Sequence, residues 1–167
     1  MSGGTQRRLV AIVSADVAGY TSLMRGDEEG TLARLKAMRD SVVAPLVNEY
    51  GGRIVKLVGD GILIEFASAV DAVRSAAEIQ RLLTSQNADI SAADRIELRI
   101  GVNVGDVIIE DDDLYGDGVN IASRLEELAT VGGICISGTA YDQVAGKTVD
   151  TFDFLGEQNL KIGRAHV

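Results

Sequence analysis

The 167-residue sequence has no tryptophan and contains only one cysteine, one proline and one histidine. The single cysteine, Cys135, cannot form an internal disulfide, and its place in the apolar run 134–136 indicates a core residue in a reducing compartment. The one histidine, His166, lies next to the end of the chain. The sequence therefore disfavours mechanisms that need a histidine base, a catalytic triad or a histidine-rich metal site.

The sequence also lacks long apolar runs and an excess of basic residues. No apolar stretch approaches the roughly 20 residues that span a bilayer, and the N-terminus has no signal-peptide pattern. We therefore expect a cytoplasmic domain without direct membrane insertion. Sixteen basic against 25 acidic residues give a net charge of -9, which argues against nucleic acid as a partner. An anionic small substrate would need bound metal ions or a few well-placed cationic side chains.

Length and composition predict one folded domain. The chain is 46% hydrophobic and 25% charged, which suits a single well-filled core. Residues 1–8 are polar and contain glycine, so we expect a flexible N-terminal flank there and the folded domain over 9–167.

The periodicity of apolar residues predicts a mixture of strands and helices. The predicted elements are a strand at 9–13, a helix over 27–50 that Pro45 kinks, a hairpin of strands 54–58 and 62–66, a helix capped by Ser68, a strand at 98–105, a helix over 117–128 and a strand at 134–136. This order predicts an α+β fold, a ferredoxin-like sandwich with a mostly antiparallel sheet and helices packed on it.

Two aspartates lie where neighbouring strands could bring them together. Asp16 follows the first apolar strand, and Asp60 lies in the turn of the predicted hairpin. If these strands are neighbours, the two carboxylates form a site of hard oxygen ligands that suits Mg²⁺. Taken alone, an aspartate at a strand end or in a turn more often has a structural role. No glycine-rich phosphate-binding loop of the usual kinds is present, so nucleotide phosphates would need another way of being held.

Three segments together resemble motifs of the class III adenylate and guanylate cyclases. Residues 16–21 read DVAGYT and resemble the first metal motif, and residues 56–60 read KLVGD and resemble the second. Residues 115–125 read YGDGVNIASRL and resemble the motif that carries the transition-state residues. The segments occur in family order, and the resemblance covers about residues 9–155. It implies the catalytic domain of a bacterial-type adenylate cyclase, a lyase that converts ATP into 3′,5′-cyclic AMP and pyrophosphate.

The resemblance implies a role for each residue of the reaction centre. Asp16, Asp60 and the backbone carbonyl of Val17 would hold two Mg²⁺ or Mn²⁺ ions per active site. The ribose 3′-hydroxyl would then attack the α-phosphate in line. Asn120 would orient the ribose, and Arg124, four residues later on the same helix face, would stabilise the charge that develops on the α-phosphate. The alternative for Arg124 is a solvated arginine paired with a glutamate.

Two further residues would select the base. By their place in the motifs, Lys56 would donate to adenine N1 and Asp113 would accept from the N6 amino group. Guanine would leave both groups unpaired, which disfavours it. Because Asp111 and Asp112 directly precede Asp113, the sequence leaves open which aspartate contacts the base. Arg99 alternates with core residues on a strand. It could support the site residues from behind or lie at the surface, and we favour the interpretation as a surface residue.

Active sites of the resembled family form between two chains, and this chain carries both halves. The resemblance therefore implies a homodimer with two equivalent sites and ATP as the small-molecule partner. A guanylate cyclase and a catalytically silent nucleotide-binding module are the alternatives, whereas the GGDEF-type signature of enzymes that make cyclic dinucleotides is missing. Family members usually continue into a final strand, so the end of this chain indicates an incomplete sheet edge or a piece of a longer protein.

Overall fold

The computed structural model describes residues 5–148, 154–158 and 163–166, which form one mixed sheet with helices on both faces. The strands are β1 (Gln6–Val17), β2 (Arg53–Val58), β3 (Gly61–Phe66), β4 (Leu98–Glu110), β5 (Asp113–Tyr115), β6 (Ile134–Ser137), β7 (Phe154–Gln158) and β8 (Gly163–His166). Their order across the sheet is β2-β3-β1-β4-β6-β8-β7, with β5 paired to β4. Only the β4–β6 pairing is parallel among the described strands. The prediction of a mostly antiparallel α+β fold is confirmed.

The helices are shorter and more numerous than the periodicity predicts. They are α1 (Tyr20–Gly26), α2 (Glu28–Met38), a π-helical turn (Arg39–Val43), α3 (Ala44–Glu49), α4 (Ala69–Asn87), α5 (Asp117–Leu128) and α6 (Gly138–Val144). The π-helical turn ends at Val43, two residues before Pro45, which has no N–H to donate to the preceding turn. The predicted interruption of the long helix is therefore found there. None of the helices in the described part of the chain combines the length and apolar character needed to cross a membrane.

Strand β1 lies at the centre of the sheet and contributes side chains to both of its faces. Alternate residues such as Ala11 and Val13 pack into the larger core beneath α4, while Val10 and Ile12 pack into a second core beneath α5. This alternation follows from the two-residue repeat of a strand. The two helices α4 and α5 therefore cover opposite faces of the sheet.

The first strand begins earlier than its apolar run. Residues 6–8, which we expected to belong to a flexible flank, pair with residues 107–109 of β4, and β4 itself continues to Glu110. Backbone hydrogen bonds hold this extension whatever the side chains, so hydrophobicity alone did not reveal it. Residues 1–4 of the predicted flank lie outside the described residues.

Helix α5 approaches β4 closely because Gly101 has no side chain. A Cβ atom added at Gly101 would lie 2.3 Å from the carbonyl oxygen of Ala122 and 2.4 Å from the amide nitrogen of Glu126. Both are backbone atoms of α5, which cannot move without shifting the whole helix. The contact therefore fixes the height of α5 above the sheet.

We expect Gly101→Ala to lower the free energy of unfolding by about 2–4 kcal/mol, because the added methyl group would overlap the backbone of α5. Urea denaturation followed by circular dichroism measures this change. Gly26→Ala is the matched control, since a Cβ there meets no atom within 4 Å, and it should be neutral or slightly stabilising. Equal stability of the two variants would contradict the inferred contact.

Candidate active site

The two aspartates predicted to bind metal lie beside each other at the end of β1. Asp16 is the penultimate residue of β1, and Asp60 lies in the two-residue turn between β2 and β3. The pairing of Ala15 with Ile62 brings this turn next to the last residues of β1. The backbone N–H of Val17 donates a hydrogen bond of 3.1 Å to Asp60 Oδ2. The structure thus brings the three predicted metal-binding residues together.

The oxygen atoms at this place suit a hard divalent cation. Two carboxylates and neighbouring backbone carbonyls are the ligands that Mg²⁺ and Mn²⁺ prefer. Within the described residues no group of three or more His, Cys, Asp or Glu side chains could hold a metal ion. Water and oxygen atoms of the substrate would therefore complete the coordination of a cation held by Asp16 and Asp60, as is usual for Mg²⁺.

Arg99 forms a bidentate ion pair with Asp16. Its Nη2 atom lies 2.8 Å from Asp16 Oδ2, and its Nε atom donates to Asp16 Oδ1 at 3.2 Å. The two residues are direct cross-strand partners in the β1–β4 pairing, so both side chains emerge on the same face of the sheet. The hydrogen bond to Asp16 raises the pKa of Arg99 above its ordinary value. The interpretation of Arg99 as a surface residue is therefore wrong.

A buried carboxyl group that the sequence analysis missed lies next to Asp16. Glu126 of α5 is only 8% exposed, and it accepts a hydrogen bond of 2.9 Å from the hydroxyl of Ser14. Burial and the neighbouring Asp16 raise the pKa of Glu126 to about 8, against the opposing effects of Ser14 and Arg99. One signal could have revealed it, because Glu126 follows Ala122 by four residues on the buried side of the helix.

Lys56 and Asp113 form a second ion pair at the predicted base-binding position. Lys56 Nζ of β2 lies 3.1 Å from Asp113 Oδ2 of β5, and it also lies 5.7 Å from the centre of the Tyr115 ring. Burial favours the neutral acid, but hydrogen bonds from Lys56 and from the Leu114 amide outweigh it and lower the pKa of Asp113. Asp113 is therefore an ionised acceptor at neutral pH.

Of the three consecutive aspartates, the structure pairs Asp113 with Lys56. Asp111 and Asp112 form the tight turn between β4 and β5, with positive φ angles of 52° and 64°. Asp113 is already part of β5, where its side chain reaches β2.

Asn120 and Arg124 lie on the outward side of α5. They are two residues away from the buried Ala122 and Glu126, which corresponds to about 200° around a helix. Asn120 is exposed and Arg124 is half-buried. No hydrogen bond or ion pair to the side chain of either is found among residues 5–148. The glutamate-paired alternative for Arg124 is therefore not what the structure shows, and neither residue is bonded to the aspartates of its own chain.

The raised pKa of Glu126 predicts a specific pH dependence of stability. Because this pKa lies above its ordinary value of 4.5, the folded state retains a proton that the unfolded state releases as the pH rises. The associated stability is fully present below about pH 4.5 and declines towards pH 8. Glu126→Gln, which stays neutral, should gain about 2–4 kcal/mol in unfolding free energy relative to the wild type between pH 5 and pH 8.

Urea denaturation at both pH values, in EDTA, measures this difference. Glu127→Gln is the matched control, because Glu127 is the next residue of the same helix and is exposed. A Glu126→Gln difference that does not change with pH, or that changes as it does in Glu127→Gln, would contradict the prediction.

Comparison with known proteins places this geometry in a family. The sequence model of the "Adenylate and Guanylate cyclase catalytic domain" family matches residues 5–167. The chain is 46% identical over 156 residues to "Putative adenylate cyclase 3" of Rhizobium meliloti, covering 93% of this chain and 27% of that protein. It is 36% identical over 143 residues to an adenylate cyclase of Streptomyces coelicolor, covering 86% of this chain and 36% of that protein.

A solved structure agrees along almost its whole length. The crystal structure of an adenylate/guanylate cyclase/hydrolase from Silicibacter pomeroyi has a TM-score of 0.92 and 39% sequence identity, covering 98% of this chain and 97% of that one. The two curated relatives are much longer proteins, of which this chain spans about a quarter to a third. From the family match and these likenesses, the chain belongs to the adenylate and guanylate cyclase catalytic domain family.

Proposed function

We propose that this domain is an adenylate cyclase, which converts ATP into 3′,5′-cyclic AMP and pyrophosphate. The observation that carries the choice of ATP is the 3.1 Å contact between Lys56 and Asp113. Relatives named adenylate cyclase at 36% and 34% identity support the same choice.

The chemistry of the Lys56–Asp113 pair fits the edge of adenine. Adenine presents an acceptor at N1 beside a donor at N6, so it needs a donor and an acceptor that lie side by side. The Lys56 ammonium can only donate, and the ionised Asp113 carboxylate can only accept. Guanine presents a donor at N1 and an acceptor at O6, which would leave both protein groups facing a group of their own kind. The pair therefore favours ATP over GTP.

Each of the remaining site residues has its own role in the proposed reaction. Asp16, Asp60 and the Val17 carbonyl would hold two Mg²⁺ or Mn²⁺ ions, which when bound would neutralise the phosphates and lower the pKa of the ribose 3′-hydroxyl. Asn120 would hold the ribose so that its 3′-oxygen lies in line with the α-phosphorus. Arg124 would donate to the α-phosphate oxygens, where charge develops.

The reaction needs no histidine base. A bond forms between the 3′-oxygen and the α-phosphorus, the bond from the α-phosphorus to the bridging oxygen breaks, and the hydroxyl proton is released with pyrophosphate as leaving group. Positioning and charge neutralisation supply most of the catalysis in such phosphoryl transfers. The scarcity of histidine is therefore compatible with this function.

We propose further that the working unit is a homodimer with shared sites. Asn120 and Arg124 face away from the sheet, whereas Asp16 lies next to Glu126 on the opposite, buried side of α5. One chain would thus supply the aspartates of a site and its partner would supply the residues of α5. All six side chains expected of a working site are present, which argues against a silent module.

The reducing compartment expected from the single buried cysteine, Cys135, fits a cytoplasmic enzyme.

Mixing two inactive variants tests the shared sites. Asp16→Ala and Arg124→Ala should each be nearly inactive, whereas an equal mixture after subunit exchange should recover about a quarter of wild-type activity, because half of the dimers carry one intact site of two. Formation of cyclic AMP from ATP and Mn²⁺ measures this recovery. Mixing Asp16→Ala with Asp60→Ala is the control, since both changes damage the same half. Recovery in the control mixture, or none in the first, would refute the shared arrangement.

Comparison of ATP with GTP tests the choice of base. Asp113→Asn should lower kcat/KM for ATP roughly 10- to 100-fold and lower the ratio of ATP to GTP turnover, because an amide can donate to O6 of guanine. Cyclic product and pyrophosphate are followed for each nucleotide. Asp111→Asn is the control, since asparagine tolerates the positive φ angle of that turn, and it should behave as the wild type. Wild-type protein that prefers GTP would overturn the proposal.

A further inference from the structure

We propose that Arg99 is an internal counter-ion that sets how tightly the cation site at Asp16 binds its metal, because it occupies that carboxylate when no cation is bound. This inference rests on the proposed function, which assigns Asp16 to a cation site. It concerns a residue to which the proposed mechanism gives no role.

The geometry of the ion pair leaves no carboxylate oxygen of Asp16 unused. Arg99 Nη2 contacts Oδ2 at 2.8 Å, and Nε donates to Oδ1 at 3.2 Å. A planar guanidinium that matches both oxygens at once is the strongest way for one side chain to hold a carboxylate. A cation at Asp16 would have to share these oxygens with Arg99 or displace it, and in both cases it would meet the positive charge of the guanidinium.

The position of Arg99 is fixed by the sheet rather than by chance side-chain contact. Asp16 and Arg99 face each other across the β1–β4 pairing, and both side chains are partly shielded, with 21% and 30% exposure. Asp60 differs, because its Oδ2 accepts from a backbone N–H and not from a cation. Of the two aspartates, only Asp16 is therefore held by a side-chain cation in the described structure.

The surroundings of Arg99 allow it to give way. Besides Asp16, the carboxyl groups of Glu126 and Glu127 lie near enough to act on its guanidinium, so a displaced Arg99 would still find oxygen acceptors nearby. Without Arg99, Asp16 would lie beside the Glu126 carboxyl group with no positive partner. Arg99 thus stabilises the cation-free site, and the same contact opposes cation binding.

Measurement of Mn²⁺ binding without nucleotide tests this role. The protein is stripped with EDTA and titrated, and free Mn²⁺ is followed by electron paramagnetic resonance. Arg99→Gln should lower the Mn²⁺ dissociation constant roughly tenfold, because the cation no longer competes with a positive charge. Arg99→Lys keeps the positive charge but loses the bidentate guanidinium contact, and it should give a smaller decrease in the Mn²⁺ dissociation constant. The rise in Tm on adding Mn²⁺ should increase in the same order.

A matched control tests whether the effect on Mn²⁺ binding depends on where the arginine lies. Arg53 forms an ion pair with Glu65 across β2 and β3, with Nε at 2.9 Å and Nη2 at 2.7 Å from Oε1. Arg53→Gln removes the same charge from the same kind of cross-strand pair, and it should leave the Mn²⁺ dissociation constant unchanged. Unchanged or weaker Mn²⁺ binding in Arg99→Gln would overturn the inference. If that variant does not fold, as judged by circular dichroism, the Arg99→Lys result decides alone.

Failure of this inference can be told apart from failure of the proposed function. Asp16→Asn should abolish the Mn²⁺ binding seen in the wild type. If Asp16→Asn binds Mn²⁺ as the wild type does, the cation site is elsewhere, and both proposals fall. If Asp16→Asn loses binding but Arg99→Gln and Arg99→Lys match the wild type, the cation site stands and only the role of Arg99 is wrong.

Discussion

The register of β1 against its two neighbouring strands decides where the charged groups of this domain lie. Pairing with β3 brings the hairpin turn, and with it Asp60, to the end of β1, while pairing with β4 puts Arg99 opposite Asp16. A slip of one residue would turn Asp16 to the other face, among the apolar side chains beneath α4. Because both faces of β1 are buried, its apolar residues could be covered in either register. The ion pair of Asp16 with Arg99 and the hydrogen bond of Ser14 to Glu126 favour the observed one.

The site so formed contains more negative than positive charge. Asp16, Asp60 and the Glu126 carboxyl group gather near the end of β1, with Arg99 as the side-chain cation that the described structure brings to them. Burial of the Glu126 carboxyl group, together with the neighbouring Asp16, disfavours its ionisation and raises its pKa to about 8. Such a site attracts cations, and a nucleoside triphosphate could enter it only with them. The acidic net charge of the chain is thus consistent with an anionic substrate.

Features that depend on residues close together along the chain could be predicted from the sequence, whereas contacts between distant residues could not. The fold class followed from local periodicity. Asp16 and Asp60 were placed together because a strand end and a tight turn are both local signals, although their roles stay predictions. The contact between Arg99 and Asp16 could not be foreseen in the same way, since alternation along a strand gives the face of a side chain but not its partner on the next strand. For Glu126, the spacing from Ala122 could indicate the buried side of α5, but its contact with Ser14 required knowledge of how closely α5 docks on the sheet.

The close approach of α5 to β4 positions two groups on opposite sides of this helix, Glu126 and Arg124. Because Gly101 has no Cβ, the backbone of α5 comes close enough to β4 for Glu126 to reach Ser14 beneath the helix. The opposite side of the same helix turn carries Arg124, which has no partner among the described residues and is therefore available to a ligand. In the proposed dimer, one turn of this helix would thus carry a buried carboxyl group beside one active site and the arginine that serves the other.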